Sequence, residues 1–113
     1  MHELALAQNI LELLEEQAVN HQFSQVKQVW LEIGVMACVE VSTLHFGLDV
    51  AARHTIAENA RFHITIAPTQ GWCLSCNQPF TSQTSPPSCP VCLSGKVQID
   101  DSNRMRIREI EVE

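Results

Sequence analysis

Residues 69–98, TQGWCLSCNQPFTSQTSPPSCPVCLSGKVQ, hold four of the chain's five cysteines as two CxxC pairs, Cys73/Cys76 and Cys89/Cys92, with twelve residues between them. The segment is full of turn formers and has too few apolar side chains to build a core of its own. Each CxxC can bend into a knuckle that points two thiolates at a common centre, and two knuckles complete a tetrahedral all-sulfur site with sulfur about 2.3 Å from zinc. Cys73, Cys76, Cys89 and Cys92 are therefore expected to hold structural Zn(II), because four sulfurs leave no open coordination position for catalysis. A redox dithiol is the rival reading of a single CxxC, but two pairs without a βαβ pattern fit it poorly.

On either side of this insert the pattern turns regular. Upstream, RFHITIAP (61–68) sets Phe62, Ile64 and Ile66 against His63 and Thr65 and ends at Pro68, which cannot donate to a sheet ladder. Downstream, RMRIREIEVE (104–113) alternates Met105 and Ile107, slips across Arg108 and Glu109, and resumes with Ile110 and Val112, which reads as a strand carrying a bulge. A further strand is expected in VKQVWLEIG (26–34), where Val29, Leu31 and Ile33 alternate with polar or amphipathic neighbours.

Two helices complete the set. From Leu4 the apolar residues fall at Leu4, Ala7, Leu11, Leu14 and Ala18, widened by Ile10 and Leu13, so a 3.6-period helix is expected to about Asn20. A second, from about Glu40 to His54, has Leu44, Leu48 and Ala51 on one face and Ser42 or Glu40 as its N-terminal cap. The expected fold is α+β: two helices packed on a small three-stranded sheet, with an inserted zinc-ribbon module of four cysteine ligands. The domains expected are residues 1–68 with 103–113, and residues 69–102.

Composition narrows the function classes. The 113 residues allow one modest core and a satellite, and a formal charge of −6 offers a polyanion no attraction. Nucleic acid is disfavoured further because the insert carries only Lys96 as a cation and only Trp72 and Phe80 for stacking. No stretch approaches the roughly 20 apolar residues of a membrane helix, and the amphipathic start has no signal-peptide pattern. A soluble cytoplasmic protein is expected. Cys38, left over from the pairs, reads as a small buried residue beside the second helix.

The chain begins Met1-His2-Glu3, which suggests the metalloprotease helix HExxH until Leu6 occupies the position of the second histidine. No Ser/His/Asp set or phosphate-binding glycine loop is visible among four glycines, so no enzyme is expected. Metal chelation has better chemistry. The amine of Met1, the backbone nitrogen of His2 and its imidazole can close fused chelate rings in one plane, the geometry Ni(II) and Cu(II) favour. The first N–H groups of a helix have no intrahelical partner, so metallating one costs no helix bond. The competing reading is a solvated, frayed histidine. His21, His45, His54 and His63 show no i, i+4 pairing and carry no metal expectation.

The initiating MHE, VWLEIG, the CVE at 38–40, two CxxC pairs in an insert and the closing IEVE together resemble the HypA/HybF family of hydrogenase nickel-incorporation proteins, from end to end. That resemblance implies a nickel metallochaperone rather than an enzyme. Ni(II) would be carried as cargo at Met1, His2 and Glu3, and Zn(II) held at the four cysteines. The implied partners are a maturation GTPase and the large subunit of [NiFe]-hydrogenase, with no nucleic acid or membrane, and the implied state is a monomer or weak homodimer. Glu40 stands where the family often has an acidic residue, so it is a candidate oxygen ligand or partner contact beside its reading as a helix cap. Some relatives carry a histidine next to the second cysteine pair; here Leu93 follows Cys92, which removes the group that zinc-ligand switching would use. A zinc-ribbon adaptor without nickel transfer is the alternative function.

Overall fold

The computed structural model describes residues 2–100 and 105–113. Met1, the expected amine ligand, Arg104, the expected first residue of the last strand, and the expected domain boundary at 102/103 lie outside the described residues.

In chain order the elements are α1 (Glu3–His21), β1 (Val26–Gly34), a 3-10 turn (Val35–Ala37), α2 (Val41–Ala52), β2 (Arg61–Ala67), β3 (Thr69–Cys73), β4 (Gln78–Ser82), β5 (Val97–Asp100) and β6 (Met105–Val112). They form two three-stranded sheets, ordered β2-β1-β6 and β4-β3-β5. The fold is α+β with a four-cysteine insert.

The chain separates into two compact units. The first comprises Met1–Leu31, Val39–Ile64 and Ile107–Glu113. Its core is apolar: Ala7, Ile10, Leu11 and Leu14 on α1, Val26, Val29 and Leu31 on β1, and Leu44, Leu48 and Ala52 on α2 are all buried. The helical period thus selects the buried face of α1, while Gln8, Glu12, Glu15 and Glu16 stay in solvent. Two stripe residues depart from expectation, since Leu4 and Leu13 are exposed. The helices approach closely at Gly47, where a Cβ would lie 3.1 Å from Leu4 Cδ2 and 3.4 Å from Ala7 Cβ. Helix α1 runs one residue past Asn20 and stops at Gln22, whose left-handed φ of 59° ends the hydrogen-bond ladder. After α2 the turn is held by Thr55, whose hydroxyl donates to the Ala52 carbonyl at 2.6 Å, and the Val26 N–H donates to Ile56 O at 2.9 Å.

The second unit comprises Glu32–Cys38 and Thr65–Arg106. Here the insert is more ordered than its turn-rich sequence suggests. Strand β3 pairs antiparallel with β4, from Thr69↔Ser82 to Cys73↔Gln78, and with β5, from Gln70↔Asp100 to Cys73↔Val97. The strands escape a period-2 reading because the residues they bury include Thr69, Cys73 and Ser82. Gly71 is required in the middle: a Cβ there would collide with the Gln98 carbonyl oxygen and lie 3.0 Å from the Phe80 ring. The buried cluster is small, with Cys73, Phe80 and Cys89 at its centre and Cys76, Val97 and Ile99 against it.

In strand β6 Met105, Ile107 and Ile110 are half-buried and Arg108 and Glu109 are both exposed, but Val112, expected to resume the buried face, is exposed. Cys38 corrects the sequence reading. It is exposed, adopts φ 52° at the end of the 3-10 turn, and its thiol lies 3.4 Å from Ser85 Oγ. The short turn lifts it out of the packed layer, which no local hydrophobic pattern signals.

Candidate metal centres

The two CxxC knuckles are built alike. In each, the residue after the second cysteine takes a left-handed conformation, Asn77 and Leu93 both at φ 61°, and its N–H donates to the carbonyl of the first cysteine at 2.8 Å. That reversal turns both sulfurs of a pair to the same side. Trp72 Nε1 donates to Asn77 Oδ1 at 3.1 Å, and Ser75 Oγ and Ser94 Oγ meet at 2.8 Å between the knuckles. The Leu74 N–H donates to Lys96 O at 2.9 Å, tying the first knuckle to the residue before β5.

The four sulfurs lie within 4.8 Å of one another, with Cys73 to Cys92 at 3.5 Å and Cys76 to Cys89 at 3.7 Å. A tetrahedral all-sulfur site with bonds of about 2.3 Å has edges of about 3.8 Å, so the donor set fits a single Zn(II). The electrostatics agree. The N–H of Cys76, 3.4 Å from Cys73 Sγ, pulls the Cys73 thiol down to about 6, and the Cys92 N–H lowers that of Cys89. The Cys73 sulfur pushes Cys76 up to about 12; the Ser94 N–H favours the Cys92 thiolate, but the Cys73 and Cys89 sulfurs and burial together outweigh it, so Cys92 rises as well. One sulfur of each knuckle favours the thiolate and the other resists it. A divalent cation at the centre would remove that conflict by stabilising all four as thiolates.

The start of the chain is organised differently. His2 is exposed, sits at φ 58° and ψ 38° ahead of α1, and its carbonyl accepts the first helix bond from Leu6 N–H at 3.0 Å. Glu3 reaches across 37 residues: its Oε2 accepts the backbone N–H of Glu40 at 3.0 Å. That bond holds the Glu3 carboxyl well below the usual range, at about 2. Glu40 occupies the N-cap position of α2 but its side chain makes no cap bond; Oε1 instead accepts Ser42 Oγ–H at 2.6 Å. The structure therefore joins the first turn of α1 to the start of α2. Among the described residues the four cysteines are the cluster with three or more metal donors, and His2, Glu3 and Glu40 do not converge into a second. Of the other histidines, His63 stacks on Trp30 at 4.9 Å between ring centres and meets Gln28 Oε1 at 2.7 Å.

The contacts that escaped the sequence are Glu3 with Glu40, Glu40 with Ser42, and the turn positions Asn77 and Leu93. Asn77 carries a signal, since asparagine tolerates left-handed backbone; Leu93 carries none.

The chain is similar to known proteins along its full length. The family model described as hydrogenase/urease nickel incorporation, metallochaperone, hypA, matches residues 1–112. The hydrogenase maturation factor HypA of Azotobacter chroococcum mcd 1 is 42% identical over 113 residues, and HybF of Proteus vulgaris 40%, each with 100% of both chains covered. The solution structure of the Ni metallochaperone HypA from Helicobacter pylori shares the fold, with a TM-score of 0.71 at 22% identity over 99% of this chain and 97% of that one. With the family matched from the first residue through β6 and the four-cysteine insert in place, this chain belongs to the HypA/HybF family.

Proposed function

We propose that this protein is a nickel metallochaperone that binds Ni(II) at its N-terminus and delivers it for maturation of the [NiFe]-hydrogenase large subunit. The observation that carries this reading is the nickel-incorporation family match over residues 1–112. Nickel is cargo: the amine of Met1 with the backbone nitrogen and imidazole of His2 form the planar chelate, with Glu3 and Glu40 as the acidic residues beside it. The His2 backbone supports this, because the N–H ahead of a helix starting at Glu3 has no intrahelical acceptor to lose. Zn(II) at Cys73, Cys76, Cys89 and Cys92 is structural, consistent with a donor set that leaves no vacant position. In this reading residues 1–68 with 103–113 serve nickel and 69–102 serve zinc. The chain hands an ion to a maturation GTPase and the large subunit, in the cytoplasm, as a monomer or weak homodimer, without turning over a substrate.

The test is a nickel titration of three zinc-loaded proteins: the native chain, His2→Ala, and a chain extended by two non-histidine residues before Met1. Both changes remove a nitrogen of the chelate while leaving the core of α1 in place, so both should lose nickel affinity and keep zinc. Affinity should also fall with pH, since protons compete for nitrogen ligands. Equal nickel affinity in all three proteins would reject the terminal chelate and leave the zinc-ribbon adaptor.

A further inference from the structure

The four sulfurs of the cysteine cluster are not equivalent. Cys73 and Cys89, the first residues of the two knuckles, are buried, Cys76 is half-buried, and Cys92 is exposed. The surroundings of each knuckle account for the difference. The first runs between two strands, from Cys73 at the end of β3 to Gln78 at the start of β4, and the Leu74 N–H and Trp72 Nε1–H bonds brace it. The second lies in the long connection from β4 to β5, and its backbone bonds close on itself: Leu93 N–H donates to Cys89 O at 2.8 Å and Cys89 N–H to Ser94 O at 3.0 Å. The side chains flanking Cys92 point into solvent, Val91 at 75% exposure and Leu93 at 78%.

Exposure matters because a metal-bound sulfur is a nucleophile. A cysteine that coordinates a divalent ion is held as the thiolate, and the thiolate is the form that attacks electrophiles and oxidants. With all four sulfurs bound as thiolates, access decides which of them reacts, and oxidation is selective for an exposed sulfur that has a second thiolate beside it. Cys92 meets both conditions. Its Sγ lies 3.5 Å from that of Cys73, which belongs to the other knuckle and needs no solvent access of its own. The remaining movement to a disulfide, whose sulfurs stand about 2.05 Å apart, falls to the loop that carries Cys92, because Cys73 is fixed by its pairing with Gln78 and Val97.

We propose that Cys92 is a modification site for hydroperoxides, with Cys73 as the thiolate that resolves the attack. The Cys92 sulfur attacks the outer oxygen of the peroxide: a sulfur–oxygen bond forms, the oxygen–oxygen bond breaks, and the far oxygen leaves as hydroxide or alkoxide, with Cys92 left as a sulfenic acid. Cys73 then attacks the Cys92 sulfur, the disulfide forms and hydroxide leaves. The two sulfurs together give up two electrons, the peroxide takes them, and two protons from solvent complete its products. The disulfide withdraws two of the four donors and so releases the ion. The consequence stays within the cysteine unit, whose buried cluster is centred on Cys73 and Cys89 themselves with Phe80. The proposal rests on the structural-zinc reading and not on the nickel end of the chain.

The experiment uses the full zinc-loaded chain carrying Cys38→Ser, which removes the other exposed thiol and leaves the four donors in place. Hydrogen peroxide is the probe. Zinc release is followed with a chromogenic chelator, and the oxidised cysteines are mapped by mass spectrometry at intervals. Release should run in parallel with a Cys73–Cys92 disulfide that forms ahead of any other pair, and a dithiol reductant with added zinc should restore the starting state. Cys92→His keeps a zinc donor and removes the exposed sulfur, so peroxide should release its zinc more slowly by about tenfold or more. Cys76→His retains Cys92 and should stay within about threefold of the parent rate. A first disulfide that lacks either Cys92 or Cys73 overturns the proposal, as does release from Cys92→His at the parent rate. Should Cys92→His fail to hold zinc, the disulfide map of the parent chain decides by itself. A parent chain that holds no zinc before treatment overturns the structural-zinc reading and the proposal together, whereas one that keeps its zinc in excess peroxide overturns the proposal alone.

Discussion

The helical unit and the cysteine unit solve the same problem with different materials. In the first, Ile10, Leu14, Val26, Val29, Leu31, Leu44 and Leu48 are each no more than 1% exposed, and burying one such side chain is worth about 1.5–3 kcal/mol. In the second, the innermost residues are Cys73 and Cys89 with Phe80, so two of its three central side chains are also metal donors. Hydrophobic burial is sufficient to order the helices. The insert has a sheet and well-formed knuckles but too little apolar area behind them, and its stability must come from the ion that its sulfurs bind. Structural integrity and metal occupancy are therefore separable in one unit and inseparable in the other.

The largest effect should come from taking the metal away. Zinc binding to structural sites contributes about 10–16 kcal/mol at pH 7, more than the insert's small cluster can replace. Chelation, or Cys89→Ala, should collapse the backbone amide dispersion of residues in β3, β4 and β5 while the amides of α1 and α2 keep native shifts, as read by two-dimensional NMR. Loss of dispersion in both units would mean that the helical unit also depends on the metal, which would break the comparison.

The reciprocal experiment is a cavity in the helical core. Leu48 is fully buried on α2, so Leu48→Ala should destabilise the helical unit by about 2–5 kcal/mol in a denaturant melt. Zinc content, and the sulfur-only coordination seen by X-ray absorption, should be unchanged. If zinc were lost together with the helical melt, the two units would be one cooperative system.

How much of this was legible in the sequence follows the same division. The buried face of α1 was readable because a 3.6-residue period repeats over five turns; Leu4 failed the rule because it lies across Gly47 at the open end of the pair, a tertiary placement that local period does not encode. The knuckles were readable from spacing, since CxxC geometry is local. Strands β3 to β5 were not, because what they bury is thiol and hydroxyl as well as carbon. Cys38 is exposed despite apolar neighbours in sequence, because hydrophobic context alone does not set depth. The bond from Glu3 to the Glu40 N–H joins positions 37 residues apart, and only the packing of α1 on α2 brings them within reach.

A smaller effect separates the two knuckles. Asn77 and Leu93 hold the same left-handed conformation, but only asparagine accepts it readily; for other side chains it costs about 1–2 kcal/mol. Leu93 is 78% exposed, so it gains little from burial in return. Leu93→Asn should stabilise the zinc-bound insert by about 1 kcal/mol, measured as slower zinc transfer to a competing chelator. Unchanged transfer would show that the second knuckle relaxes out of the left-handed turn in solution.

The smallest effect belongs to the helical unit and appears only in acid. Glu3 has its folded value lowered from 4.5 to about 2, chiefly by the Glu40 N–H. A carboxyl held below its unfolded value lends stability that is complete above that value and is lost as pH falls through the folded one. The contact is solvent-screened, so the whole unit should barely respond, but the Glu40 amide proton reports the bond directly. Its shift should titrate with a midpoint well below 4.5. The titration should disappear in Glu3→Gln, which keeps an acceptor oxygen and removes the ionisation. Acid should also strip the thiolate-bound metal before this point, so the helical unit ought to show the Glu3 transition with its partner unit already unfolded. A Glu40 midpoint near 4.5 would mean that the first turn of α1 is not tied to α2, and would remove the structural support for placing Glu40 beside the nickel end.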